Sequence, residues 1–147
     1  MSAPIRVVCV DDNELVREAM QRKLCEPEFC FTGSLASIEG LVEHVEQQRA
    51  ELVVLDIDIP GRDTAAALRE LKRRHPEVRV AAFSGLLDDE TIDRALESGA
   101  DAYISKSEDS KTIVESVRRL AAGEFVLSPD VRAVYEGPVD PRPAATT

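Results

Sequence analysis

Four short apolar runs each end in a polar side chain that could take part in chemistry. Ile5–Val10 is followed by Asp11 and Asp12, Leu52–Leu55 by Asp56, Val78–Phe83 by Ser84, and Ala102–Ile104 by Ser105 and Lys106. Loops are usually polar, so any one of these residues read alone means little. As a set they matter if the runs are strands of one parallel sheet, because the residues just past the strands then share one edge. Three carboxylates gathered there repel by about 1 to 4 kcal/mol per pair at effective dielectrics of about 80 to 20. A cation is expected to offset that cost. Oxygen-only donors suit a hard divalent ion, and Mg2+ in particular favours sites completed by water and phosphate. A carboxylate beside Mg2+ and an ammonium can attack a phosphoryl group to give an aspartyl phosphate. Ser84 can donate to one phosphoryl oxygen and Lys106 can neutralise another, so the set suits capture of a phosphoryl group from a donor.

The elements that must position these residues are legible in the apolar pattern. Besides the four runs, a weaker one spans Phe29–Thr32. Between them, apolar residues recur at helical spacing: Leu15, Val16, Ala19, Met20 and Leu24, then Ile38, Leu41, Val42 and Val45, then Ala67, Leu68 and Leu71. The same spacing returns at Ile92, Ala95 and Leu96 and at Ile113, Val114, Val117, Leu120 and Ala121. Pro76, Gly99 and Gly123 stand where the third, fourth and fifth helices should stop, and Asp88 and Ser110 are candidate caps for the last two. Five strands alternating with five helices predict a doubly wound parallel sheet with helices on both faces, because a closed barrel needs eight such units. The expected domain is 4–123. Residues 124–147 form an extension with a short helical turn near Asp130 to Tyr135 and a mobile Pro/Ala/Thr tail from Gly137.

Composition narrows the function classes. In 147 residues, 18 Lys+Arg stand against 28 Asp+Glu, a net charge of -10 that opposes direct nucleic-acid binding and adsorption to anionic lipid. No apolar stretch approaches the roughly 18 residues of a membrane span. Three cysteines, Cys9, Cys25 and Cys30, form no CxxC pair and read as free thiols of a reducing compartment, the cytoplasm. Lys72, Arg73 and Arg74 read as the solvated face of the third helix, and His44 and His75 as surface residues without a ligand role.

The motifs VVCVDDNELVREAM, LVVLDIDIPGRD, AAFSG and GADAYISK together resemble the receiver domain of two-component response regulators, over about Pro4 to Gly123. The resemblance implies a flavodoxin-like sheet of order 2-1-3-4-5. It implies Asp56 as phosphoacceptor, Asp11 and Asp12 as a Mg2+-binding pair joined by the backbone carbonyl of Asp58, Ser84 and Tyr103 as switch residues, and Lys106 as the site's lysine. It also implies phosphoryl transfer from a histidine kinase or histidine phosphotransfer protein, slow self-catalysed hydrolysis without turnover of an external substrate, and a partner-binding face made by the fourth helix, fifth strand and fifth helix. A phosphorylation-dependent homodimer belongs to the same expectation. DDNELVREAM and AAGEFVLSPDV are most similar to receivers that precede a LuxR-type helix-turn-helix domain, and the residues after Gly123 are too few for one, so a stand-alone or truncated receiver is expected. Three positions depart from the family pattern: Asp58, at a variable position that tunes dephosphorylation, Thr64 in place of a usual Gly, and Ser107 in place of a frequent Pro.

Two other readings remain open. DIDIP also resembles the nucleophile motif of haloacid-dehalogenase-type phosphatases, with Asp56 as nucleophile and Asp58 as general acid. That motif usually opens a chain and carries Thr or Val where Pro60 stands, and it leaves Asp11 and Asp12 without a task. The third reading is a receiver-like interaction module that never takes phosphate.

Overall fold

The computed structural model describes residues 3–137, so the tail expected from Gly137 lies, past that residue, outside the described residues. The elements run β1 (Ile5–Val10), α1 (Glu14–Lys23), β2 (Phe29–Leu35), α2 (Leu41–Gln48), β3 (Leu52–Asp56), α3 (Thr64–Arg74), β4 (Arg79–Ser84), α4 (Asp89–Glu97), β5 (Ala102–Ser105), α5 (Ser110–Ala121), β6 (Val126–Leu127) and α6 (Pro129–Val134). One parallel sheet of order β2-β1-β3-β4-β5-β6 results. The expected order is kept and a sixth strand is added, since Val126 and Leu127 pair with Ala102 and Tyr103. Two residues are too few to show a strand pattern in sequence, and β6 forms because β5 offers a free edge.

Both sheet faces are covered, which explains why the inner strands are apolar without alternation. Against one face, Met20 and Leu24 at α1 and Ile113, Val117 and Leu120 of α5 pack on Val7, Cys9, Val54 and Phe83. Against the other, residues of α2, α3 and α4 pack on Val8, Val10, Leu55, Val80, Ala82 and Tyr103, joined there by Leu127 and Val131. Among the described residues, no helix is long and apolar enough to cross a membrane.

Local chemistry sets the boundaries. Asn13 caps α1 by accepting from Leu15 N–H and Val16 N–H, Asp63 caps α3, and Asp88 caps α4 as expected. The cap of α5 is Asp109 rather than Ser110, its carboxylate accepting from Thr112 N–H at 2.8 Å. Ile38 packs on the core but precedes α2, which starts after Gly40 in a left-handed conformation. β2 runs longer than expected because it continues past a bulge where the register with β1 skips Thr32, and there the Thr32 hydroxyl donates to Val7 O.

Candidate functional site

Alternation along the strands divides the polar edge into two halves. Asp11, Asp56 and Lys106 fall on the α1/α5 side, beyond Cys9, Val54 and Ile104, while Ser84 follows Ala82 onto the side that also holds Tyr103.

On the first side Lys106 stands between two carboxylates. Its Nζ lies 3.0 Å from Asp11 Oδ2 and 3.3 Å from Asp56 Oδ1, and 5.6 Å from the centroid of the Phe83 ring. Asp11 is 0% and Asp56 2% exposed, whereas Asp12 is open to solvent. Asp11 Oδ1 accepts from Asn13 N–H at 2.9 Å, and Asp56 Oδ1 from Asp58 N–H at 2.8 Å. Asp11 Oδ2 is buried, with the Lys106 ammonium at 3.0 Å as its counter-ion and no other donor reaching it. Burial pushes the Asp56 carboxyl up to about 6, against the opposing pull of the Asp58 N–H and the Lys106 ammonium. Burial also works against the Lys106 charge, but Asp11 and Asp56 outweigh it and hold its pKa above the ordinary lysine value.

Oxygens of Asp11, Asp12 and Asp56 lie within 4.8 Å of one another. Three hard oxygen donors, one of them buried with no donor besides Lys106, fit a divalent cation open to water on the Asp12 side. The Asp58 carboxylate does not belong to this group, because it turns to the second half of the site and accepts from Ser84 Oγ at 2.7 and 3.0 Å. Ser84 Oγ in turn accepts from Leu86 N–H, and Leu86 O accepts from the Tyr103 hydroxyl, so one chain of hydrogen bonds links the two expected switch residues. Burial pushes the Tyr103 hydroxyl up to about 12, which keeps it a donor.

The departures at Thr64 and Ser107 both acquire partners. The Thr64 hydroxyl donates to Ile57 O at 2.9 Å and closes the loop after Asp56, while Ser107 Oγ donates to Asp130 at 2.9 Å and ties the Lys106 loop to α6. Arg17, which no motif singled out, donates to Asp11 O at 2.7 Å; one helical turn after the Asn13 cap was the available signal. Leu86 is half exposed and lines a cavity of about 530 Å³ between α3 and α4, while Leu87 packs on the core. Of the basic run, Arg73 and Arg74 are solvated as expected, but Lys72 folds inward to Asp101.

Residues 7–118 match the family described as the response regulator receiver domain. The chain belongs to that family. This receiver is 33% identical over 128 residues to the transcriptional regulatory protein DegU of Brevibacillus brevis, covering 86% of this chain and 54% of that protein. It is 29% identical to the response regulator protein VraR of Staphylococcus aureus, covering 86% of this chain and 61% of VraR. The match therefore spans less than two thirds of either relative. Among solved structures, a LuxR-family two-component response regulator from Aurantimonas sp. SI85-9A1 superposes with a TM-score of 0.83 at 25% identity, covering 89% of the receiver and 94% of that chain. The signal receiver domain of the response regulator NarL from Mycobacterium tuberculosis gives 0.76 at 26% identity, covering 84% and 100%.

Proposed function

We propose that this receiver takes a phosphoryl group on Asp56 from a phosphohistidine of a histidine kinase or histidine phosphotransfer protein, in the cytoplasm and with Mg2+. An Asp56 oxygen attacks phosphorus, the P–N bond breaks, and the histidine ring leaves with the electron pair and takes up a proton. A bound Mg2+ supplies charge screening between the carboxylates and the incoming phosphoryl oxygens. Asp11, Asp12 and Asp56, with the Asp58 carbonyl, are the groups to hold it. Lys106 neutralises a phosphoryl oxygen, and Ser84 donates to another. Asp56, with its pKa near 6, is largely ionised at neutral pH and able to act as the nucleophile. The observation that carries this reading is one ammonium within 3.3 Å of two buried carboxylates, beside a third acid within 4.8 Å.

Movement of Ser84 toward the phosphoryl group would pull on Leu86 and Tyr103 through the hydrogen-bond chain and alter the α4–β5–α5 face. That face includes the chain's own extension, since β6 pairs with β5 and the Tyr135 hydroxyl donates to Asp93 of α4 at 2.5 Å. The domain 4–123 carries the chemistry, and the described part of the 124–147 extension, up to Tyr135, is where the switch is felt. Family membership argues against the phosphatase reading, as does the engagement of Asp58 by Ser84 in the place of a general acid's open position.

Incubation with acetyl phosphate and Mg2+ tests the proposal. A base-labile acyl phosphate on Asp56, absent in Asp56→Asn and slowly lost by hydrolysis, is the expected result. Multiple turnover of a phosphomonoester supports the phosphatase instead, and absence of label from any donor supports the interaction module.

A further inference from the structure

The two donors at the end of β4 are both spent on one side chain. Ser84 Oγ donates to the Asp58 carboxylate, 2.7 and 3.0 Å from its two oxygens, and Gly85 N–H reaches Oδ2 at 3.3 Å. The hydroxyl already accepts from Leu86 N–H at 2.9 Å, which leaves its single proton for Asp58. The same residue's backbone N–H donates to Asp56 Oδ1 at 2.8 Å. Asp58 thus touches the nucleophile with its backbone and the hydroxyl with its side chain.

A carboxylate and a phosphoryl group present the same thing to an O–H and an N–H: anionic oxygens that accept short, charge-assisted bonds. We propose that the Asp58 carboxylate is an internal anion occupying the Ser84 and Gly85 donors in the unmodified protein, so that a phosphoryl group arriving on Asp56 must displace it. The inference rests on Asp56 being the phosphoacceptor. On transfer from an acyl phosphate, the Asp56 O–P bond forms, the acyl O–P bond breaks, and acetate leaves with the electron pair. Ser84 keeps its proton throughout and moves its hydrogen bond from an Asp58 oxygen to a phosphoryl oxygen. The displaced carboxylate is half-buried and has solvent to turn into. Asp58 is therefore a positioning residue that opposes phosphorylation, and the sign of its effect is set by the donors it occupies as well as by its charge.

The two contributions separate in a double-mutant cycle on the full chain, labelled with acetyl phosphate and Mg2+. Asp58→Ala is expected to raise the labelling rate on the order of tenfold, and by a clearly smaller factor when Ser84→Ala is already present, because only the charge and the Gly85 contact then remain to be removed. The same acceleration in both backgrounds would mean bare charge repulsion and overturn the proposal, as would no acceleration. Amide resonances of Gly85 and Leu86, followed before any donor is added, should shift in Asp58→Ala; unmoved resonances overturn the occupancy directly. Label persisting in Asp56→Asn defeats the phosphoacceptor reading and this inference with it, whereas label lost in Asp56→Asn but indifferent to Asp58→Ala defeats this inference alone.

Discussion

Lys72 and Lys106 each meet buried aspartate at opposite edges of the same parallel sheet, and the two meetings are built differently. Lys72 Nζ has one acid, Asp101 at 2.9 Å, and also donates to Val78 O at 2.9 Å and Pro76 O at 3.3 Å. Asp101 Oδ2 accepts a second bond from Val80 N–H at 2.9 Å. Charges balance one to one and each group is satisfied, while Gly99, at φ +115, lets the chain turn where a Cβ would stand 3.0 Å from the Lys72 stem. Lys106 has two buried acids and a third at the surface, faces one buried oxygen that no other donor reaches, and sits beside an Asp56 carboxyl held near pKa 6. A closed pair fastens elements together. An unbalanced one is stable only with something further bound or protonated, and that is the signature of a site.

The largest effect expected from this contrast is an exchange of roles between two lysine substitutions. Lys72→Met leaves a buried Asp101 carboxylate without its counter-ion and should lower unfolding stability by about 3 kcal/mol. The labelling of Asp56 in the folded fraction should stay unchanged. Lys106→Met should do the reverse: labelling falls by roughly 100-fold, while stability changes less, because Asp56 can take up a proton in place of its ammonium partner. Chemical denaturation together with acetyl phosphate labelling checks both. Equal loss of labelling in the two variants would erase the distinction between the pairs.

The same contrast explains what could be read in the sequence. Asp11, Asp12, Asp56, Ser84 and Lys106 were legible because each ends an apolar run, and period-two alternation with parallel topology then forces them to one edge. Lys72 was not: it sits in a Lys-Arg-Arg run whose next two members are solvated, and only the tertiary approach of Val78 O and the Asp101 carboxylate turns it inward. The engagement of Asp58 with Ser84 was equally hidden, since the residues lie 26 positions apart and their contact depends on how the loop after β3 is closed by the Thr64 hydroxyl. β6 escaped because its two residues pair only once an edge of β5 exists to receive them.

A second, smaller effect sharpens the account of the unbalanced site. Burial raises the Asp56 pKa from 3.8 to about 6, so between those values the folded protein binds more protons than the unfolded chain. The stabilisation from protonating Asp56 is present below about pH 4 and lost as the pH rises through about 6. Without divalent cations, wild type should therefore lose roughly 2 to 3 kcal/mol relative to Asp56→Asn across that window. Denaturant titrations in the presence of a chelator read the difference. A constant gap between the two proteins from pH 4 to pH 7 would contradict the burial of a charged Asp56.

The smallest expected effect tests what the imbalance is for. A divalent ion that binds the folded acid cluster and not the unfolded chain stabilises by about 2.7 kcal/mol at a concentration of 100 times its Kd. Asp12 is exposed and makes no buried contact, so Asp12→Ala should fold as wild type does, yet it removes one of three ligands. Its Mg2+-induced rise in melting temperature should then be less than about half that of wild type at the same Mg2+ concentration. Lys72→Met, although less stable at the outset, should keep the full increment, because its acid sits at the other edge of the sheet and has no part in the cluster. Equal increments in wild type and Asp12→Ala would place the ion elsewhere, and a reduced increment in Lys72→Met would show that the two edges are coupled through β5.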